Sequence, residues 1–183
     1  MLYISCTSKT ENITAPIIDK NNLALIPVTD YLKGQLKEIE ESPVTPLKTT
    51  MEGGKMDSVW VSRDSIRTFA APFLSPRIDS ASLSAFFEGT SFLDQSVNAV
   101  TLTYEANAKI PTEVSLKHLD IYIHPEQNVI TRVYMVKDSL IENGIQTLQL
   151  TWNSGNNCSI ITIIQEKGKK PRIKEENMIW GFH

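Results

Sequence analysis

The strongest constraint on the fold is a run of short alternating segments in the carboxyl-terminal half. From Phe92 onward the apolar spacing changes from a helical period to a period of two, and it stays there to the end. The candidate strands are 99–105, 116–124, 129–137, 145–152, 158–166 and 173–182. Turns such as 125–128, 153–157 and 167–171 are too short for the helical crossover that parallel neighbours need. The sequence therefore predicts consecutive antiparallel strands.

One of these segments is apolar on both faces. Within 158–164, isoleucine occupies positions 160, 161, 163 and 164, so both sides of the strand carry apolar side chains. A strand of this kind is typical of the centre of a sheet that is covered on both sides or strongly curled. We expect it to lie centrally.

The amino-terminal half carries helical spacing instead. Leu32, Leu36 and Ile39 predict a helix that ends before Pro43, and either Thr29 or Asp30 could cap its first turn. Further signals follow along the chain. They are a hairpin of strands 44–51 and 56–61 around Gly53-Gly54, an amphipathic helix with Ile66, Phe69, Ala70 and Phe73, and a short helix capped by Asp79 that carries Leu83, Phe86 and Phe87 and ends at Gly89.

Together these signals predict an α+β fold. We expect an antiparallel meander sheet of five to seven strands, with two or three helices from the amino-terminal half packed on it. Strong curvature would turn such a sheet into a cup that could hold a ligand. A chain of 183 residues with 41% hydrophobic side chains is long enough for one domain, which we place at 23–183 after a polar segment.

The first residues are typical of a lipid-anchored protein. Cys6 follows the apolar stretch 1–5 and precedes the polar run 7–12, and the whole segment 1–22 is predicted to be a signal end followed by a flexible tether. A lipid-modified Cys6 would hold the domain at a bilayer. Because a complete signal has a longer apolar stretch after a basic start, this interpretation places the true start upstream of Met1.

An accidental match at Cys6 is the alternative. The chain would then be cytoplasmic, and Cys6 would be a chance residue in a frayed terminus. The second cysteine, Cys158, lies in a predicted strand, where a free thiol is usually a small buried apolar group. We expect both cysteines to be unpaired.

The most suggestive polar cluster lies on the predicted strand 116–124. His118, Asp120, Tyr122 and His124 alternate with aliphatic residues and are predicted to share one face. Neighbours in this series, about 6.6 Å apart, could share a proton or bind a ligand, whereas the two histidines are about 20 Å apart and cannot serve one metal. The alternative is the solvated side of an amphipathic strand.

Several function classes are disfavoured by the sequence. A net charge of −3 argues against a nucleic-acid partner, which normally requires an excess of Lys and Arg. Two cysteines are too few for a thiolate-rich zinc site, so no metal is predicted. The sequence has no nucleophile-elbow serine and no phosphate-binding glycine loop, so we assign no catalytic residue and no cofactor.

The only basic run is 167–174, which contains three lysines before Arg172 and one after it. It falls on a predicted turn and on the start of the last strand. It could contact anionic lipid headgroups, or it could simply keep an edge strand soluble.

Parts of the chain resemble a known family. The Ser5-Cys6 signal end, the polar tether and the segments 59–61, 92–95, 130–137 and 150–152 are similar to an uncharacterised lipoprotein family of Bacteroidota. The resemblance implies a place in the cell envelope, facing the periplasm or the outside. It carries no activity and no catalytic residues.

Two functional hypotheses follow. The first is a non-enzymatic, membrane-anchored envelope domain that binds a partner protein or a small apolar ligand. The second is a soluble enzyme or ligand carrier with a site in a cup between sheet and helices, using the polar cluster of strand 116–124.

Overall fold

The computed structural model describes residues 26–78, 84–94 and 96–181. Two α-helices lie in the amino-terminal part, α1 (Val28–Glu41) and α2 (Asp64–Ala70), and α2 runs into a 3-10 helix at Ala71–Leu74. A second 3-10 helix spans Ser84–Phe86. The strands are β1 (Leu47–Glu52), β2 (Lys55–Trp60), β3 (Phe87–Asp94), β4 (Ala99–Ala106), β5 (Leu116–Ile123), β6 (Ile130–Ile141), β7 (Gly144–Asn153), β8 (Asn157–Glu166) and β9 (Arg172–Ile179).

All nine of these strands form one antiparallel sheet in the order β2-β1-β9-β8-β7-β6-β5-β4-β3. The α+β class and the antiparallel pairing are confirmed, but the expected five to seven strands are wrong because the described sheet has nine. The hairpin of β1 and β2 joins the sheet by pairing β1 with β9, Thr49 opposite Asn177. Its turn is the expected Gly53-Gly54 pair, and both glycines have the positive φ that this tight turn requires.

The expected helix that ends at Gly89 is too long: among the described residues only the 3-10 helix Ser84–Phe86 is helical. Phe87–Asp94 is strand β3, and Gly89 pairs with Tyr104 of β4 inside it. Phe87 is buried, so its side chain serves the core from a strand rather than from a helix. The tertiary pairing with β4 overrides the local helical spacing. Asp79 and Leu83 of that prediction lie outside the described residues.

The capping prediction for α1 is also wrong. The helix begins after Pro27 and has no side-chain cap. The buried hydroxyl of Thr29 instead accepts a hydrogen bond from the Ile78 backbone N–H at 2.7 Å. Thr29 therefore joins α1 to the segment that follows the 3-10 helix Ala71–Leu74. Asp30 lies on the exposed side and pairs with Lys33 and Arg77.

One face of the sheet is covered by the helices, and the core lies between them. Leu32 and Leu36 of α1, Ile66 of α2 and Phe73 of the 3-10 helix are all buried there against the sheet. Phe73 meets the Trp152 ring edge-on at 5.5 Å between centroids. Side chains fill the space on this side, as the close packing of protein interiors requires.

The other face, which we call the open face, is not covered by any described helix. Along β5, Leu119 and Ile121 point into the core, so their neighbours point to the open face. The strand β8 lies centrally, as its isoleucines predicted. Ile161 and Ile163 on its open face are nevertheless only half-buried, so the expected cover on both sides is not found among the described residues.

Candidate functional site

The alternation of β5 places three of the four predicted site residues on the open face. His118, Asp120 and Tyr122 alternate with buried aliphatic residues, and a bulge at the start of the strand sets their phase. His124 follows the end of the strand. Its Nδ1 accepts hydrogen bonds from the backbone N–H groups of Glu126 and Gln127 at 3.3 and 3.2 Å, so His124 caps a turn and does not share the face of the other three.

His118 lies between two carboxylates. Its Nδ1 is 2.5 Å from Oε1 of Glu105 on β4, and its Nε2 is 2.8 Å from Oδ2 of Asp120. Asp120 also accepts a hydrogen bond from the Thr103 hydroxyl at 2.6 Å. The Tyr134 ring packs edge-on against the imidazole, with centroids 5.9 Å apart. We call these five side chains the histidine cluster.

The carboxylates determine the charge of the cluster. Burial of the ring lowers the pKa of His118, but hydrogen bonds and charge attraction from Asp120 and Glu105 outweigh burial and raise the pKa above 6.5. In the imidazolium form both ring nitrogens are donors, which matches a carboxylate acceptor on each side. Burial, followed by the Asp120 charge, raises the pKa of Tyr134, so its hydroxyl remains a donor. The cluster is an ion-paired network with both nitrogens of His118 engaged.

Three members of the cluster were missed by the sequence reasoning. Glu105 and Thr103 lie directly opposite His118 and Asp120 in register, and Tyr134 faces Asp120 from β6. The alternating polar residues of β4 were the available signal. The connection 107–115 between β4 and β5 hid the register, because its length does not reveal which residues stand opposite one another.

The cluster belongs to a polar row that crosses the whole open face. Each of the nine strands contributes one polar side chain, and each side chain is the register partner of the next. In sheet order these residues are Ser58, Thr49, Asn177, Ser159, Thr151, Tyr134, Asp120, Thr103 and Thr90. Neighbouring strands are about 4.8 Å apart, so the row is about 38 Å long.

Tyr122 contributes to a separate small depression beside the row. The Arg132 guanidinium lies over the Tyr122 ring at 5.4 Å, and its Nε donates to Asn153 at 2.9 Å. The depression has a volume of about 100 Å³ and is lined by these residues together with Val97 and Ala99. It is large enough for a few solvent molecules rather than for a drug-sized ligand.

A larger groove of about 550 Å³ lies at one end of the open face. Met51, Pro171 and Ile173 supply apolar lining, and Arg172 and Glu175 supply charge. The groove runs between the β1–β2 turn and the β8–β9 turn, which are adjacent because β1 pairs with β9. It is an open surface feature.

The part of the chain that the structure describes contains no group of three or more His, Cys, Asp or Glu side chains arranged to hold a metal ion. Cys158 is a buried free thiol, and burial raises the pKa of that thiol, so it is held in the protonated form. Cys6 lies outside the described residues.

The described structure contains one buried lysine that the sequence reasoning did not single out. Lys137 of β6 is only 3% exposed and points into the helix side of the sheet. Its Nζ donates to the backbone carbonyls of Pro72 and Ser75 at the end of the 3-10 helix. Burial lowers the pKa of Lys137 to about 8. Its role is to join the helices to the sheet, because it satisfies two carbonyls that the short helix leaves unpaired.

Comparison with known proteins yields no assignment: no family model, no curated protein and no solved structure matches this chain. Among the described helices, none has both the length and the apolar character needed to cross a bilayer.

Proposed function

We propose that this chain is a non-enzymatic binding domain of the cell envelope, tethered through a lipid-modified Cys6, and that it binds a partner protein on the open face. The observation that carries this proposal is the contrast between the two faces. Side chains of the helices fill one face, whereas the other presents a continuous polar row across nine described strands.

The polar row supports a protein partner in preference to an enclosed apolar ligand. Hydroxyl, amide and carboxylate groups such as Ser159, Asn177 and Asp120 can exchange hydrogen bonds with a second surface over a wide area. The groove beside Met51 and Ile173 is open, so it offers an apolar ligand only partial cover. Even in a curved sheet, the core fills the side that faces the helices, so no cup for an apolar ligand is left there.

The arrangement of His118 argues against the alternative of a soluble enzyme. A general base needs a ring nitrogen that is available to substrate, and both nitrogens of His118 are held by carboxylates. The cluster also faces away from the helices, so it does not line the space between sheet and helices in which that alternative places its site.

Location is tested by mass spectrometry of the protein expressed in a bacterial host from its full natural gene. We expect an acylated Cys6 at the start of the mature chain, recovered in the membrane fraction. Recovery of an unmodified Cys6 in the cytosol would remove the envelope part of the proposal, and the Cys6→Ser variant is the matched control.

The binding face is tested by site-specific photo-crosslinking in that host. A photoreactive residue at Thr151 or Ser159 lies in the middle of the polar row, and one at Lys37 lies on the solvent side of α1. We expect a discrete crosslinked product from the two row positions and none from position 37. Equal crosslinking from all three positions would contradict a role for the open face.

A further inference from the structure

Three hairpin turns of the described sheet lie at the same end. The β1–β2 turn is next to the β8–β9 turn, since Glu52 pairs with Lys174. The β6–β7 turn is also next to the β8–β9 turn, on the side away from the β1–β2 turn. Gly144 pairs with Glu166 there, and the Lys167 backbone N–H donates to the Asn143 carbonyl at 3.0 Å. From β2 to β6 this end spans about 24 Å.

Exposed apolar side chains are concentrated at this end of the open face. Leu140 is 85% exposed, Met56 72%, Ile173 57%, Ile145 46% and Met51 45%. Register places all five on the open face: Leu140 is opposite Ile145, and Met51 is opposite Met56. We call these five residues the apolar end.

Half-buried isoleucines extend the apolar end toward the middle of the sheet. Ile163 is opposite Ile173, and Ile161 is opposite Glu175. Contiguous apolar patches of this kind on a soluble domain usually mark a surface that contacts a membrane or another protein.

Basic side chains are concentrated in the β8–β9 turn, beside the apolar end. The turn segments 52–55, 142–145 and 166–174 contain six Lys and Arg side chains and three carboxylates, in a chain whose net charge is −3. Glu166 is paired with Lys169 and Arg172, and Lys174 is paired with Glu176. Glu175 adds a carboxylate on the open face opposite Met51. The exposed lysines 55, 167 and 170 take part in no ion pair with any residue that the structure describes.

We propose that the apolar end is a docking surface for an anionic lipid bilayer. The five apolar side chains enter the boundary between headgroups and acyl chains, and the lysines of the adjacent turns bind lipid phosphates. Binding of this type increases with the buried apolar area and with attraction between basic side chains and anionic headgroups.

The charge distribution favours a bilayer over a second copy of the chain. Two copies meeting through this end would bring their lysine-rich turns together, and like charges repel. An anionic bilayer instead places negative phosphates next to an apolar layer, which matches lysines next to apolar side chains. The inference does not depend on acylation of Cys6, because the contact is made by the folded domain itself.

The test uses the full 183-residue chain, produced without acylation, in co-sedimentation with vesicles. One set of vesicles is phosphatidylcholine alone, and the other is an equimolar mixture of phosphatidylcholine and phosphatidylglycerol. We expect binding to the mixed vesicles that weakens with added salt, and little binding to phosphatidylcholine.

Two variants separate the apolar and charged contributions. Replacing both lysines in Lys167→Ala/Lys170→Ala should weaken binding about fivefold for each lysine. Replacing exposed apolar residues in Leu140→Ser/Ile173→Ser should weaken it by about tenfold or more. The matched control Leu93→Ser/Lys37→Ala removes an exposed leucine on β3 and an exposed lysine on α1, and it should bind like the wild type.

Three results would overturn the proposal. The first is that the wild type fails to sediment with the mixed vesicles. The second is that the Leu140→Ser/Ile173→Ser variant binds as tightly as the control variant. The third is that the wild type does not bind vesicles but forms a concentration-dependent dimer in analytical ultracentrifugation, and that the Leu140→Ser/Ile173→Ser variant abolishes this dimer. That result would assign the surface to a second copy of the chain. None of these results bears on Cys6 or on crosslinking at Thr151, so the proposed function stands or falls separately.

Discussion

Replacing Lys137 with methionine should remove a rise in stability at alkaline pH. Lys137 is buried with its amine between the carbonyls of Pro72 and Ser75. A neutral amine has two N–H groups, so it can satisfy both carbonyls without carrying a charge. The folded state therefore favours the neutral amine, and the unfolded state favours the ammonium.

The magnitude follows from the two pKa values. Burial lowers the pKa of Lys137 from 10.5 to about 8 in the folded protein. Below pH 8 both states are protonated, and the folded state bears the full cost of burying the charge. Between about 8 and 10.5 the unfolded chain binds more protons, so stability rises with pH, by about 3 kcal/mol over the window.

The assay is urea unfolding at a series of pH values from 7 to about 11, followed by circular dichroism. The quantity to compare is the free energy of unfolding of the wild type minus that of Lys137→Met at each pH. We expect this difference to increase across the window. The control Lys37→Met removes a lysine whose side chain is 73% exposed, and its difference should stay flat.

A Lys137→Met difference as flat as that of the control would show that burial does not hold the Lys137 amine in the neutral form at alkaline pH. The value at neutral pH alone does not decide the matter. Methionine removes the cost of a buried charge but leaves two carbonyls without a donor, at about 1 kcal/mol each, so the two effects oppose each other.

Three further substitutions test other parts of the structure by urea unfolding. The raised pKa of His118 means that its ion pairs stabilise the protein below pH 6.5, as long as the carboxylates stay ionised, and are lost as pH rises through the folded value. His118→Asn should therefore be more destabilising at about pH 6 than at about pH 9, and a pH-independent loss would contradict the ion pairs. Thr29→Val leaves the buried Ile78 N–H unpaired and should cost about 2 kcal/mol, whereas Thr29→Ser should retain most of the stability. Gly144→Ala places a Cβ 2.0 Å from a backbone oxygen of β8 and should cost about 2 kcal/mol. Gly34→Ala has open space around it inside helix α1 and should stabilise the protein by up to about 1 kcal/mol, because alanine has the higher helix propensity; equal losses from the two variants would refute the steric account.

The sheet was predictable wherever local spacing and short turns agree. The segments 145–152 and 158–166 fall within β7 and β8, because a turn of a few residues leaves two alternating strands no option but to pair. The strand β3 was not predictable in the same way. By local preference Gly89 would end a helix, but in the structure it pairs with Tyr104 of β4. The local spacing of apolar residues does not predict such a contact between two separate segments.

The candidate site was predictable within one strand and not beyond it. Alternation placed His118 and Asp120 on one face, since that depends only on the period of a strand. The partner Glu105 comes from β4, and its place opposite His118 depends on register across a long connection. His124 deviates because the strand ends one residue earlier, at Ile123, where the chain turns.

The pairing of β1 with β9 has a consequence for the order in which the protein is built on the ribosome. The β1–β2 hairpin is among the first parts of the domain to be synthesised, and its only neighbour outside the hairpin among the described strands is the last of them. Until β9 leaves the exit tunnel, the strand with which β1 pairs is missing and β8 is the edge of the sheet, so the hairpin cannot take its final place. A nascent chain from which residues 1–171 but not β9 have emerged would hold a six-stranded sheet of β3 to β8 and a detached two-stranded ribbon, so the emergence of β9 joins the two parts.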